Sequence, residues 1–408
     1  MDEIYSLRIK GREYSAEFQK GEGWRSVLES VYGKEHAVCL CGTGGERKLA
    51  IKARADQFHL ARYGNTGPQH RHTCRFHAQS PERSGRQCYE PGVVVEVDGD
   101  DLRIKLARGL RVQQETKDTT SATPEPSRAP GDKQPAIKIL GLLHLLWTES
   151  GLNTWFPWFE NRRDAARVAW RIQVTASRIT SNRIRLNQVL LTSAIKGSPA
   201  AHSNTEKVNR AIKLGYRLVV VAPLANYDEA KHQQLSRLPL SAPFGMPIMY
   251  LSQNRQEYVA KSFARELSVW RAGGRVIAVA QLNVRAGDHV SQADVLELGL
   301  MHVSERWIPL DSSYEATIEK MLSEQGREFE KPLRFDADEF VSKPDFWLLD
   351  QKNDFPLEVF GMNIPEYLQR KATKTVQYDA KYNPIGWWSW DAAADPQGKQ
   401  IPPFPEAD

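Results

Sequence analysis

Between residues 136 and 300 the period of the apolar positions changes several times. In "NRRDAARVAWRIQVTASRI", Val168, Ile172, Ala176 and Ile179 recur at helical spacing, while Arg163, Arg167 and Arg171 fall on another face. That pattern predicts an amphipathic helix with a cationic stripe. The runs "YRLVVVAPL", "PIMYLS" and "RVIAVAQLNV" predict buried strands, and a helix holding Val259, Phe263, Leu267 and Trp270 precedes the last of them. Upstream, "KLAIKAR", "GVVVEV" and "DLRIKL" alternate as strands do. From about residue 301 the order is strand, helix, two strands, helix, strand, ending in the Pro-rich tail "DPQGKQIPPFPEAD". No internal repeat is present.

Residues 113–135, "QQETKDTTSATPEPSRAPGDKQP", are polar, rich in Pro, Ser and Thr, and lack apolar periodicity, so they read as a flexible linker. The chain is therefore expected to be a multi-domain α/β protein. It comprises a small β-rich module (1–112), the linker (113–135), a middle α/β domain (136–300) and a C-terminal α/β domain (301–408).

Composition narrows the class without naming a function. An apolar fraction of 41% and a charged fraction of 26% over 408 residues belong to an ordinary folded chain. A net charge of +5 permits a nucleic-acid partner without requiring one. No apolar signal segment follows Met1, and the most apolar window, "AIKILGLLHLLW", is too short to span a bilayer. A soluble, cytoplasmic protein with no membrane partner is expected. All four cysteines lie before residue 90 among histidines, a pattern that points to metal before disulfide in a cytoplasmic chain.

The cysteines come in a metal-ligand arrangement. "VCLCGTGG" gives Cys39-x-Cys41, and "QHRHTC" gives His70-x-His72-x-Cys74. Cys39, Cys41, Cys74 and one histidine fill a closed tetrahedral zinc site, and His70 is favoured over His72 because it leaves more chain to wrap the ion. Such a site is structural. Free cysteines in a loop are the bland alternative, with Cys88 and His77 as spectators. "GTGGERK" lacks the GxxxxGK[ST] spacing of a phosphate loop, and its glycines are expected to turn the chain at the metal.

Near the C-terminus, "KPDFWLLDQKNDFPLEVFG" places Asp345 at one end of an apolar run and Glu358 inside the next. Two antiparallel strands would bring the acids together, and adjacent buried carboxylates call for a cation. Glu315 shares the buried side of an upstream helix with Ile318 and Leu322. Downstream, Tyr367, Lys371, Lys374 and Tyr378 form one helical stripe. Oxygen ligands beside an ammonium suit metal-assisted phosphodiester hydrolysis. Each residue has a plainer reading: Glu315 as a helix cap after Ser312, Asp345 as a turn residue, Glu358 as an edge acid, the lysines as a solvated face.

The order Glu315, "PD" at 344–345, "LEVFG" at 357–361 and Tyr367 to Tyr378 resembles the PD-(D/E)xK restriction-endonuclease-like nuclease superfamily. That resemblance implies a restriction-endonuclease-like C-terminal domain with Mg²⁺ or Mn²⁺ on Asp345, Glu358 and the Val359 carbonyl. Glu315 is then an accessory acid. The motif lysine is replaced by Phe360, and Lys374 matches the position to which some members move it. DNA is the substrate by analogy. Over nearly the whole chain, "LGLLHLLWTESGLNTWFP", "ERWIPLDSSYE", "REFEKPLRFD" and "WSWDA" resemble a bacterial mobile-element-associated protein family with an N-terminal Cys/His cluster. Protein partners from the same element are implied, but no activity.

Lys371, Arg163, Arg167 and Arg171 are candidate nucleic-acid contacts. "WFPWF" reads as packing rather than base stacking, and "GWWSWDA" as the last strand of the C-terminal sheet. The expected function is a metal-dependent nuclease, acting on DNA in a mobile-element or defence context. The alternative is a non-enzymatic, zinc-containing nucleic-acid-binding protein with a decayed nuclease fold.

Overall fold

The computed structural model describes residues 3–42, 45–54, 57–80, 83–97, 101–112, 133–336 and 343–408. The expected linker lies outside them except for its last three residues. The described chain is mixed α/β, with four sheets.

The first sheet is antiparallel and runs Arg12–Tyr14, Leu7–Ile9, Ala37–Cys39, Lys48–Arg54, Gln57–Arg62. Its inner face packs Leu7, Ile9 and Leu49 against Leu28 and Val31 of the Gly23–Val31 helix.

The hydrogen-bonded sheets do not follow the boundary expected at residue 112. The hairpin Val94–Val97/Asp101–Ile104 pairs in parallel with Ile179–Ser181, Leu102 opposite Ile179, and Ile184–Arg185 completes this second sheet. Leu102 and Ile104 join one core with Leu142, Ile172 and Ile179. Alternation in the sequence marks a face that must be buried but does not name the partner that buries it.

That pairing also corrects the expected helix. Asp164 caps it, its side chain accepting from the Arg167 N–H at 2.8 Å, and the helix runs Ala165–Ala176. Arg163 therefore precedes the helix, and Ile179 begins a strand.

The third sheet runs Leu190–Thr192, Leu218–Pro223, Arg275–Arg285, Gln292–Val303, Ile248–Tyr250. Its long Arg275–Val303 hairpin crosses the boundary expected at 301. The helix expected before it is two, Gln253–Ser262 and Ala264–Arg271, broken at Phe263. Ile139–Glu149 is the core helix, with Leu142, Leu143, Leu145, Leu146 and Trp147 fully buried.

The fourth sheet runs Trp388–Trp390, Phe355–Val359, Phe346–Leu348, Phe329–Glu330, Thr154–Trp155. Its outer strand comes from the middle of the chain, and Trp155, Phe156 and Phe159 of "WFPWF" pack with Ile308, Ile318 and Phe346. The sheet is accompanied by the helices Ser313–Glu324 and Pro365–Tyr382. No helix of the described residues is long and apolar enough to cross a membrane.

Candidate functional site

The first cluster is built by the hairpin that follows Ala37–Cys39. Arg47, 5% exposed, donates from Nε to the Cys39 carbonyl at 3.1 Å and from Nη2 to the Gly42 carbonyl, which folds the turn back on itself. Gly45 in that turn has φ +67°, a conformation in which glycine carries no Cβ strain. Opposite, the short Gly67–Gln69 turn delivers His70, and Cys74 follows.

Cys39, Cys41, His70 and Cys74 are all buried, and their ligand atoms lie within 4.8 Å of one another. The separations are Cys39 Sγ to Cys74 Sγ 3.7 Å, Cys41 Sγ to His70 Nδ1 3.4 Å and Cys74 Sγ to His70 Nδ1 3.7 Å. Around a tetrahedral zinc with bonds of about 2.3 Å to sulfur and 2.05 Å to nitrogen, they come to about 3.8 Å and 3.6 Å. The four residues thus have the donor set and spacing to hold a metal such as zinc. The three thiols share hydrogen bonds with one another, which push Cys41 far down and raise Cys39 and Cys74.

His72 lies outside this group. Its ring is 4.7 Å from that of His77, and burial first, then His77 and Arg83, lower it to about 3. Cys88 lies in the central core, where burial raises it to about 11.

The second cluster lies on the fourth sheet. Phe346 is paired with Leu357 in antiparallel register, and the Asp345 N–H donates to the Leu357 carbonyl at 3.0 Å, so Asp345 stands opposite Glu358. Asp345 Oδ2 accepts from the Val359 N–H at 2.7 Å. Glu358 is 3% exposed, and its Oε1 meets Lys374 Nζ at 2.5 Å and the Tyr378 hydroxyl at 3.0 Å. Lys374 also donates to the Lys343 carbonyl at 2.7 Å. Burial, then the nearby Asp345, raise the Glu358 carboxyl to about 8 despite Lys374.

A residue that sequence reasoning passed over completes the arrangement. Lys331, 2% exposed, places Nζ 2.9 Å from Glu315 Oε2, 3.2 Å from Asp311 Oδ2 and 3.9 Å from Asp345 Oδ1. The signal for it was thin: a lone lysine after the apolar alternation "EFE" and before Pro332. Glu315 caps its helix and also pairs with Lys331. Its N–H donates to Ser312 Oγ at 3.0 Å and its Oε2 accepts from the Asp311 N–H at 2.8 Å, as a helix cap does, while the same oxygen meets Lys331. Burial raises its carboxyl to about 8, with Lys331 opposing.

The basic candidates are placed differently from one another. Arg163 is half-buried and donates to the carbonyls of Leu152, Gly151, Thr154 and Arg306, with its guanidinium 4.4 Å from the centre of the Phe159 ring. These bonds join the loop after the Ile139–Glu149 helix, the Thr154–Trp155 strand and the segment after Val303. Arg167 is exposed beside Asp164, and Arg171 faces the Phe159 ring at 6.0 Å. Lys371 pairs with Asp391 at 2.6 Å and lies 4.7 Å from the Phe360 ring.

A model of the family described as "Protein of unknown function (DUF1173)" matches residues 8–393. No curated protein matches the chain.

Proposed function

The chain belongs to the DUF1173 family, and from the geometry of its two clusters, rather than from that membership, we propose that it is a metal-dependent nuclease with a structural zinc site. The observation that carries the reading is the cross-strand pair of a partly exposed Asp345 and a buried Glu358, opposite each other with the Lys374 ammonium against Glu358. DNA as substrate, and a mobile-element or defence setting with partners from the same element, are extensions that rest on sequence resemblance.

Cys39, Cys41, His70 and Cys74 would hold zinc in a closed site that contributes to folding and offers no open position. Asp345, Glu358 and the Val359 carbonyl would hold Mg²⁺ or Mn²⁺. A divalent ion there supplies an activated water and neutralises phosphate charge. One oxygen of each carboxylate is already committed, Asp345 Oδ2 to the Val359 N–H and Glu358 Oε1 to Lys374 and Tyr378. These bonds fix the rotamers, and the second oxygen of each is the one a cation would use. Lys374, held by Glu358 and the Lys343 carbonyl, is the cation for the phosphate oxygens.

The test is cleavage of plasmid and single-stranded DNA with Mg²⁺ or Mn²⁺, with and without EDTA. Asp345→Asn and Glu358→Gln should each abolish cleavage while leaving nucleic-acid binding intact. Lys374→Ala should cost about 2–4 kcal/mol of barrier, as loss of an oxyanion donor does. If Asp345→Asn cuts like the parent protein, the reading fails.

One observation favours the non-enzymatic alternative. Lys331 and Lys374 already balance charge among Glu315, Asp345 and Glu358, and the only cluster of three or more ligand groups among the described residues is the Cys/His one. Metal-independent DNA binding with no cleavage in any arm would establish that reading.

A further inference from the structure

A cleft of about 210 Å³ opens where three parts of the chain meet: the Cys/His loop, the two helices Ile139–Glu149 and Ala165–Ala176, and the fourth sheet. Four arginines line it, Arg62, Arg75, Arg171 and Arg178, against two carboxylates, Glu149 and Glu330. The excess is cationic.

Arg62 is the informative member. It is 3% exposed, and its Nε and Nη2 have no hydrogen-bond partner among the described residues. The Glu96 carboxylate is a distant counter-ion: its Oε1 is 3.9 Å from Arg62 Nη2, and the same oxygen is held by Arg86 at 3.1 Å. A buried guanidinium with unused donors is costly unless something anionic meets it. Three more buried polar atoms on the lining, His72 Nδ1, Thr148 Oγ1 and Glu330 Oε1, also lack a hydrogen-bond partner among the described residues.

The lining also carries an aromatic residue open to solvent. Trp170 is 65% exposed, and Val174, one helical turn on, is 43% exposed. An exposed indole beside guanidinium groups offers stacking to a base and charge to a phosphate. The volume is below the roughly 300 Å³ at which drug-sized pockets begin, so the interior suits a phosphate and its sugar, with the base outside on Trp170.

We propose that this cleft is a binding site for a single phosphorylated nucleotide unit, with its phosphate on Arg62, Arg171 and Arg178 and its base stacked on Trp170. The site is separate from the carboxylate cluster. Glu330 lines the cleft while the next residue, Lys331, contacts Glu315. None of Asp311, Glu315, Lys331, Asp345, Glu358 and Lys374 lines the cleft. The proposal stands whether or not the protein cleaves DNA.

Calorimetric titration of the full-length protein with AMP, adenosine and inorganic phosphate tests it. AMP should bind one per chain, and adenosine and phosphate each at least about tenfold more weakly, because each supplies only half of the recognition. Trp170→Ala and Arg171→Gln should each weaken AMP by about tenfold or more without lowering the melting temperature, since neither side chain is in the core. Asp345→Asn should bind AMP normally, which separates this site from the catalytic reading. A 5′-phosphorylated oligonucleotide that displaces AMP identifies the ligand as a strand end, and failure to displace it identifies a free nucleotide; either supports the site. No saturable binding at about 1 mM AMP, equal binding of adenosine and AMP, or unchanged affinity in both variants would overturn it.

Discussion

Glu330 shows how burial alone sets the behaviour of an ionisable residue. It is 2% exposed, its Oε1 has no hydrogen-bond partner among the described residues, and burial raises it to about 7 from an ordinary 4.5. A carboxyl whose folded value lies above its unfolded one stabilises the fold below about pH 4.5 and loses that contribution as pH rises through about 7. Glu315 and Glu358, both raised to about 8, act in the same direction. Glu330→Gln cannot ionise, so its stability relative to the parent should improve by about 3 kcal/mol between pH 4 and pH 9. Urea unfolding at several pH values measures this difference, and a pH-independent difference would show that Glu330 titrates normally. Lys331 illustrates the opposite case, a buried cation raised above its ordinary value because Glu315, Asp311 and Asp345 outweigh the cost of burial. Nothing in the local sequence distinguishes it from a surface lysine.

At the scale of elements, local propensity and packing oppose each other in the Ile139–Glu149 helix. Gly141 ought to weaken it, and alanine there ought to help by about 1 kcal/mol. A Cβ at that position, however, would lie 2.2 Å from Asp336 Oδ2 and 2.4 Å from the Tyr89 hydroxyl, which are themselves hydrogen-bonded at 2.6 Å. Gly141→Ala should therefore destabilise by about 1–3 kcal/mol, the range for overpacking, and a raised melting temperature would contradict this. The Cys/His hairpin is the other element whose local sequence does not suffice. Its short strands and tight turn need the cluster to hold them together, so elemental analysis should find about one zinc per chain. Cys39→Ser combined with Cys41→Ser should remove the zinc and expose the N-terminal sheet to protease. Zinc retained in that double variant would refute the ligand set.

Across the whole molecule, the connections between cores carry the organisation. The Val94–Ile104 hairpin lies in the second sheet, Tyr89 bonds Asp336, Arg83 pairs with Asp354 at 2.8 Å, and Arg163 joins the Thr154–Trp155 strand to the segment after Val303. A specific protease site inserted within residues 113–132 should therefore yield two fragments that co-elute on size exclusion and separate only in denaturant. Fragments that separate in native buffer would mean that the first 112 residues are an independent domain.

How much was legible in the sequence follows from the range of the forces involved. The strands Lys48–Arg54, Leu218–Pro223 and Phe355–Val359 and the buried Ile139–Glu149 helix could be read from periodicity, because burial imposes its period on the residues themselves. Cys39, Cys41, His70 and Cys74 were legible as a group because a tetrahedral ion demands few residue types at close spacing. The Asp345–Glu358 pairing was legible because a short turn joins their strands. What only tertiary structure decided involves partners far apart in the chain: Leu102 with Ile179, Thr154 with Glu330, Lys331 between Glu315 and Asp345, and Arg62 lining one cleft with Trp170. A hydrophobic face or a buried charge specifies that it must be covered or neutralised. Which distant segment does so depends on the packing of all the others together.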